Sequence, residues 1–241
     1  GTGIAYNTNP YDPITNPRNV AYGSGLMSTT FLGLGYKKER LFQTIGLEVG
    51  ILLTHYSNGR LRTPNTSTNL FSFNIGLNYT PFETGVYAVD PELPSFSEAI
   101  HLNLTVIGGA NENNVVGLGR KAFFGIQAFV DKRISYKSSF QLGAELFVSG
   151  PMKDYIRYRA TAFPEEGITG DEDAKRAGIF AGYELRISQI ATFVQLGYYA
   201  YYPVDFEGRF YNRLGLKRYF GKHWFGQAAV KAHAAKAETL D

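Results

Sequence analysis

Cysteine is absent from the 241 residues, so there is neither a disulfide framework nor a thiolate metal site. A surplus of one charge is also lacking. The 24 Lys and Arg against 21 Asp and Glu leave a net +3, which predicts no nucleic-acid partner. No stretch approaches the roughly 20 consecutive apolar residues that a membrane-spanning helix requires, which excludes a helical membrane protein. The chain opens at Gly1 without a methionine or an apolar leader, so any secretory signal is expected to have been removed or left out. What is present points to strands. Seventeen Tyr and 18 Phe, against 2 Met and 1 Trp, suit a pleated surface, and 27 Gly suit hairpin turns and curved sheets.

Along the chain, one parity is apolar and the other small or polar over long runs. From 41 to 55 the odd positions include Leu41, Ile45, Leu47, Val49, Ile51, Leu53 and His55, while the even ones include Thr44, Gly46, Glu48 and Gly50. The same split recurs at 98–109, 138–149 and 176–188, and further runs cover about 24–36, 68–80, 118–131, 190–202, 208–219 and 222–234. A soluble sandwich and an outer-membrane barrel can both alternate in this way. Run length favours the barrel: soluble strands cluster near five or six residues, whereas tilted membrane strands need about nine to eleven. Tyr79, Tyr198, Tyr201, Tyr202, Tyr219 and Trp224 at the run ends fit interfacial girdles.

Short links near 37–40, 132–137, 188–190 and 220–222 alternate with longer ones near 7–23, 56–67, 110–117, 150–175 and 203–208. Short periplasmic turns and long external loops have this asymmetry, with the link at 80–98 as the exception. Eleven segments can be counted, including a stub at 1–6, and bacterial barrels close with an even number. The expected fold is therefore all-β: one antiparallel transmembrane barrel of the bacterial outer membrane over 1–241, of about twelve strands (range ten to fourteen), lacking terminal segments.

His55 and Ser57 share the parity of Ile45 to Leu53, so in a barrel they point outward at the external edge of the lipid face. Asn69, on the next run, has the parity of Phe71, Phe73, Ile75, Leu77 and Tyr79. On the residues alone, the histidine and serine would pass for ordinary polar groups at a strand end.

The string HYSNG at 55–59, followed by PN at 64 and 65, resembles the signature of the outer-membrane lipid A 3-O-deacylases, the PagL-like, acyloxyacyl-hydrolase-type family. NPYDPITNPRNVAYGS at 9–24 is similar to longer members of the Bacteroidetes type. The resemblance implies ester hydrolysis on the outer wall of the barrel, with lipid A or lipopolysaccharide as substrate amid outer-membrane lipids and with no cofactor. It makes Ser57 the nucleophile and His55 the general base, since a serine hydroxyl needs an adjacent imidazole to take its proton. Asn58 and Asn65 match asparagines around the oxyanion. Shorter members have a glutamate where this chain has Asn69, twelve residues after the serine, and an Asn-x-Gly whose glycine is Ser67 here. Asparagine can orient an imidazole but cannot offset its charge. Glu48 is no substitute, because its parity points inward. Arg60 and Arg62 could contact lipid A phosphates.

Other readings weigh less. Asn69 keeps open a non-catalytic barrel, an accessory or structural subunit of an envelope protein complex. Glu48, Glu145, Glu184, Arg186, Arg213, Lys217 and Lys231 have lumen parity, which fits a channel or, more commonly, a plugged polar interior. His223 and His233 show no metal-ligand spacing, and no metal is expected. The acidic cluster Glu165, Glu166, Asp171, Glu172 and Asp173 does not match an EF-hand loop and reads as solvated.

Overall fold

The computed structural model describes residues 1–81, 96–115, 117–234 and 236–241. The described residues form twelve strands: β1 (Thr2–Tyr6), β2 (Leu26–Phe42), β3 (Ile45–Ser57), β4 (Thr68–Tyr79), β5 (His101–Asn111), β6 (Lys121–Arg133), β7 (Ser138–Ser149), β8 (Lys175–Ile187), β9 (Ile190–Tyr201), β10 (Phe210–Phe220), β11 (Trp224–His233) and β12 (Lys236–Leu240). One helix, α1 (Gly150–Ala162), and a 3-10 turn at Pro164–Glu166 follow β7. Strands pair antiparallel with their sequence neighbours in two sheets, β1-β2-β3-β4 and β5 through β12. The eight-stranded sheet curls until its edges meet: Asn111 Nδ2 on β5 donates to the Glu238 carbonyl on β12 at 2.7 Å. Most of the long link expected at 80–98 lies outside the described residues.

Alternation is sharp in the eight-stranded sheet. On β6, Phe123, Gln127 and Phe129 are buried while Phe124 and Ile126 are exposed. Leu102, Leu104, Val106, Leu142, Leu146, Ile179 and Leu196 continue the exposed apolar belt. In water such a belt costs about 25 cal/mol per Å² of apolar surface, and hydrocarbon removes that cost.

The interior is filled, and its charges are paired. Glu145 receives Lys231 Nζ at 2.5 Å and Arg213 Nη1 at 2.8 Å, while Lys217 Nζ reaches Glu184 at 2.6 Å. Removing one partner of such a buried pair strands the other charge, at about 3–5 kcal/mol. Among the expected lumen residues, Arg186 is half-buried and Glu48 is exposed. Tyr202 and Tyr219 turn inward rather than joining a girdle. Tyr202 is buried against Tyr199, and the Tyr219 hydroxyl donates to Glu184. Gly197 makes room for Tyr211, whose ring would clash with a Cβ at that position.

Two links depart from expectation. Residues 37–40 fall within β2 rather than in a turn, with a register irregularity between Lys38 and Phe42 and Arg40 at φ +55, and the reversal falls at Gln43 and Thr44. The segment 150–175, expected as open loop, begins with α1. Ser149 caps it by accepting from Met152 N at 3.2 Å, Pro151 starts its first turn, and Met152 and Ile156 pack against Tyr199, Tyr202 and Tyr211. The helix thereby closes the loop end of the cylinder.

Candidate active site

The β3–β4 hairpin sets the first contact. Its register places His55 opposite Asn69, and His55 Nδ1 lies 2.8 Å from Asn69 Oδ1. An amide oxygen can only accept, so Nδ1 carries the hydrogen and Nε2 keeps a lone pair. That is the tautomer a general base needs. Leu53 and Phe71, next along the same face, are exposed apolar residues.

Ser57 is the last residue of β3, and it is 1% exposed. Strand parity alone places it on the open rim. The loop 58–67 instead folds over it. Asn65 Nδ2 donates to Ser57 Oγ at 3.0 Å, and Gly59 N donates to the same oxygen at 3.1 Å. Gly59 has φ +62, a left-handed conformation that favours glycine, and a Cβ there would also meet Leu240 Cβ at 3.1 Å. Within the described residues no hydrogen bond joins Ser57 to His55; the hydroxyl is 3.3 Å from Asn65 Oδ1.

Asn58 braces the loop. Its Nδ2 donates to the Arg62 carbonyl at 2.6 Å, its Oδ1 accepts from Arg60 N at 2.9 Å, and its backbone N donates to Asn65 Oδ1 at 3.0 Å. The side chain is thus occupied away from the Ser57 hydroxyl, in contrast to the oxyanion place expected for it. Arg60 differs as well. It is buried with Nη1 2.8 Å from Glu207 Oε1, which removes it from a phosphate-binding surface. Thr63 N and Oγ1 both donate to Glu112 Oε2, at 2.8 and 2.7 Å. These two carboxylates belong to the eight-stranded half of the chain and clamp the loop onto its mouth.

A family model described as acyloxyacyl hydrolase, C-terminal domain, matches residues 100–241, and one described as lipid A 3-O-deacylase (PagL) matches residues 1–78. The chain belongs to the PagL family. No curated protein and no solved structure matches it. PagL family proteins reside in the outer membrane, and the exposed apolar belt on curled antiparallel sheets is that of an outer-membrane β-barrel.

Within this PagL-family barrel, the histidine, the serine and the three asparagines lie on one hairpin and its loop. Arg62 stays exposed there. The acidic stretch after α1 is engaged by its own surroundings. Glu172 accepts from Thr169 N at 2.6 Å and Gly170 N at 2.9 Å, and the Thr169 backbone bond is the main cause holding its carboxyl below the usual range. Sequence reasoning missed Gly59 as a donor to the serine oxygen. Its only signal was a glycine directly after Ser-Asn.

Proposed function

We propose that this PagL-family chain removes an ester-linked acyl chain from lipid A, with Ser57 as nucleophile, His55 as base and Asn69 as the group that orients the imidazole. The hydrogen bond from His55 Nδ1 to Asn69 carries the reading, because it leaves Nε2 free to accept a proton two residues from the serine. In this scheme the Ser57 hydroxyl turns from Asn65 towards His55. Its oxygen attacks the ester carbonyl while its proton passes to Nε2. Collapse of the tetrahedral intermediate breaks the bond to the sugar oxygen, which takes that proton. Water, deprotonated by the same imidazole, then splits the acyl-serine and releases the fatty acid. Asn65 Nδ2 and Gly59 N–H, the two donors beside Ser57 Oγ, supply the oxyanion contacts.

Lipid reaches the site laterally from the outer leaflet, across the exposed face that carries Leu53 and Phe71. An apolar groove of about 280 Å³, lined by Ile4, Leu26, Met27, Leu216 and Val230, also touches Ser28 and Asn58, which flank Ser57. Ile4, Ser28 and Ser57 form one cross-strand row over β1, β2 and β3, so the groove begins beside the nucleophile. It suits an acyl chain. Arg62 is the remaining candidate for a lipid A phosphate.

Incubation of the refolded protein with lipopolysaccharide, followed by mass spectrometry of lipid A, tests the scheme. Wild type is expected to remove one acyl mass, and Ser57→Ala and His55→Ala to lose at least about 10³-fold of that activity. An unchanged lipid A spectrum with folded wild type would instead favour a non-catalytic accessory role, consistent with an asparagine in place of a carboxylate.

A further inference from the structure

Three electron-rich side chains from separate parts of the chain converge inside the eight-stranded half. They are Glu207 from the β9–β10 loop, His233 at the end of β11 and Glu238 on β12, with one ligand-type atom of each within 4.8 Å of the others. His233 Nδ1 lies 3.1 Å from the Phe210 carbonyl, an acceptor only, so that nitrogen donates, and Nε2 is the nitrogen turned inward to the carboxylates, in hydrogen-bond contact with Glu238. Facing Nε2 are Glu238 Oε2 at 3.2 Å and Glu207 Oε2 at 3.6 Å. The opposite oxygens are already held: Arg60 takes Glu207 Oε1, and Arg176 takes Glu238 Oε1. Each arginine thereby aims the free oxygen of its carboxylate at the imidazole.

Either a proton on Nε2, donated to Glu238, or a metal cation in its place joins these groups. Tetrahedral zinc with bonds of about 2.0–2.2 Å sets its ligand atoms roughly 3.3–3.6 Å apart; the Glu207 edge at 3.6 Å lies at the top of that range and the Glu238 edge at 3.2 Å just below it. A second observation points to a ligand. Glu207 and Glu238 line a small cavity of about 30 Å³, large enough for a water or an ion. Asn111, 2% exposed, lines the same cavity, and its Oδ1 has no hydrogen-bond partner. Buried amide oxygens are rarely left in that state.

We propose that Glu207, His233 and Glu238 form a binding site for one divalent transition-metal ion of the zinc type, with the cavity beside Asn111 holding a water as the fourth ligand. The site is structural. It ties the β9–β10 loop to β11 and β12, and through the Glu207–Arg60 pair it steadies the loop over Ser57. The two guanidiniums oppose an added positive charge and weaken binding relative to an all-anionic site. Ca²⁺ and Mg²⁺, which prefer more oxygen ligands, bind far more weakly.

The test uses the full chain without a polyhistidine tag, folded in detergent, treated with chelator and then titrated with Zn²⁺ alone by calorimetry. Co²⁺ absorption reports the geometry. One equivalent of Zn²⁺, a tetrahedral Co²⁺ spectrum and at least a tenfold preference over Ca²⁺ are expected. His233→Ala and Glu207→Gln are expected to weaken Zn²⁺ binding tenfold or more. Glu207→Gln, in a loop, guards against a His233 variant that fails to fold. Wild type that binds less than one-tenth of an equivalent of Zn²⁺, or that shows only octahedral Co²⁺, overturns the proposal, as does undiminished binding by folded Glu207→Gln and His233→Ala. In those cases a shared proton, not a metal, joins the three groups.

Discussion

The two sheets solve the same membrane problem differently. In the eight-stranded sheet the inward face is a dense set of aromatics and ion pairs, so every strand has a dry packed side and an apolar outer side. In the four-stranded sheet the outward face is as apolar, with Leu32, Leu34, Phe73 and Ile75 exposed, but Glu48, Ser72 and Asn74 on the other face are exposed too. The candidate active site belongs to the second kind of sheet. The difference teaches that anchors and candidate site are divided: the packed half provides Glu112 and Glu207, and the open half carries the histidine and serine.

The contrast can be broken most forcefully at Glu145. Replacing it with alanine strands Lys231 and much of Arg213, and is expected to destabilise by about 3–5 kcal/mol, read as a lowered urea midpoint in detergent. An unchanged midpoint would make the two halves equivalent. Next in size is Asn65→Ala, which removes a donor to Ser57 and is expected to slow deacylation about 10²–10³-fold while the urea midpoint stays near wild type. Asn69→Glu sharpens the comparison in the other direction. A carboxylate opposite His55 would balance the imidazolium, so activity on lipopolysaccharide should rise by about tenfold, or ~1.4 kcal/mol of barrier. The smallest effect is expected at Glu48→Gln, within about 0.5 kcal/mol in the same unfolding assay, since the side chain is exposed.

Much of the fold was legible because the membrane enforces period two on one face and a packed interior enforces it on the other. The runs at 138–149 and 190–202 match β7 and β9 nearly residue for residue. The pairing of His55 with Asn69 was readable in part, since both lie on the apolar parity of consecutive strands. What could not be read depends on tertiary contact. Ser57 is buried by a loop whose shape rests on Asn58, Gly59 and Asn65. Arg60 reads as a solvated loop cation until Glu207 is brought beside it. Helix α1 has little amphipathic signal, and only Tyr199, Tyr202 and Tyr211 give Met152 and Ile156 something to bury against. Glu207, His233 and Glu238 meet through the curl of the sheet, which no spacing along the chain reveals.

Arg60 and Glu207 are 147 positions apart, and their contact closes the lid of the serine pocket. A chain still crossing the envelope, with β9 and β10 unpaired, has no such closure, because drawing together ends so distant carries an entropic penalty that only completed strands offset. The pocket around Ser57 therefore takes its final shape only once β9 and β10 are in place, which ties its closure to completion of the eight-stranded sheet.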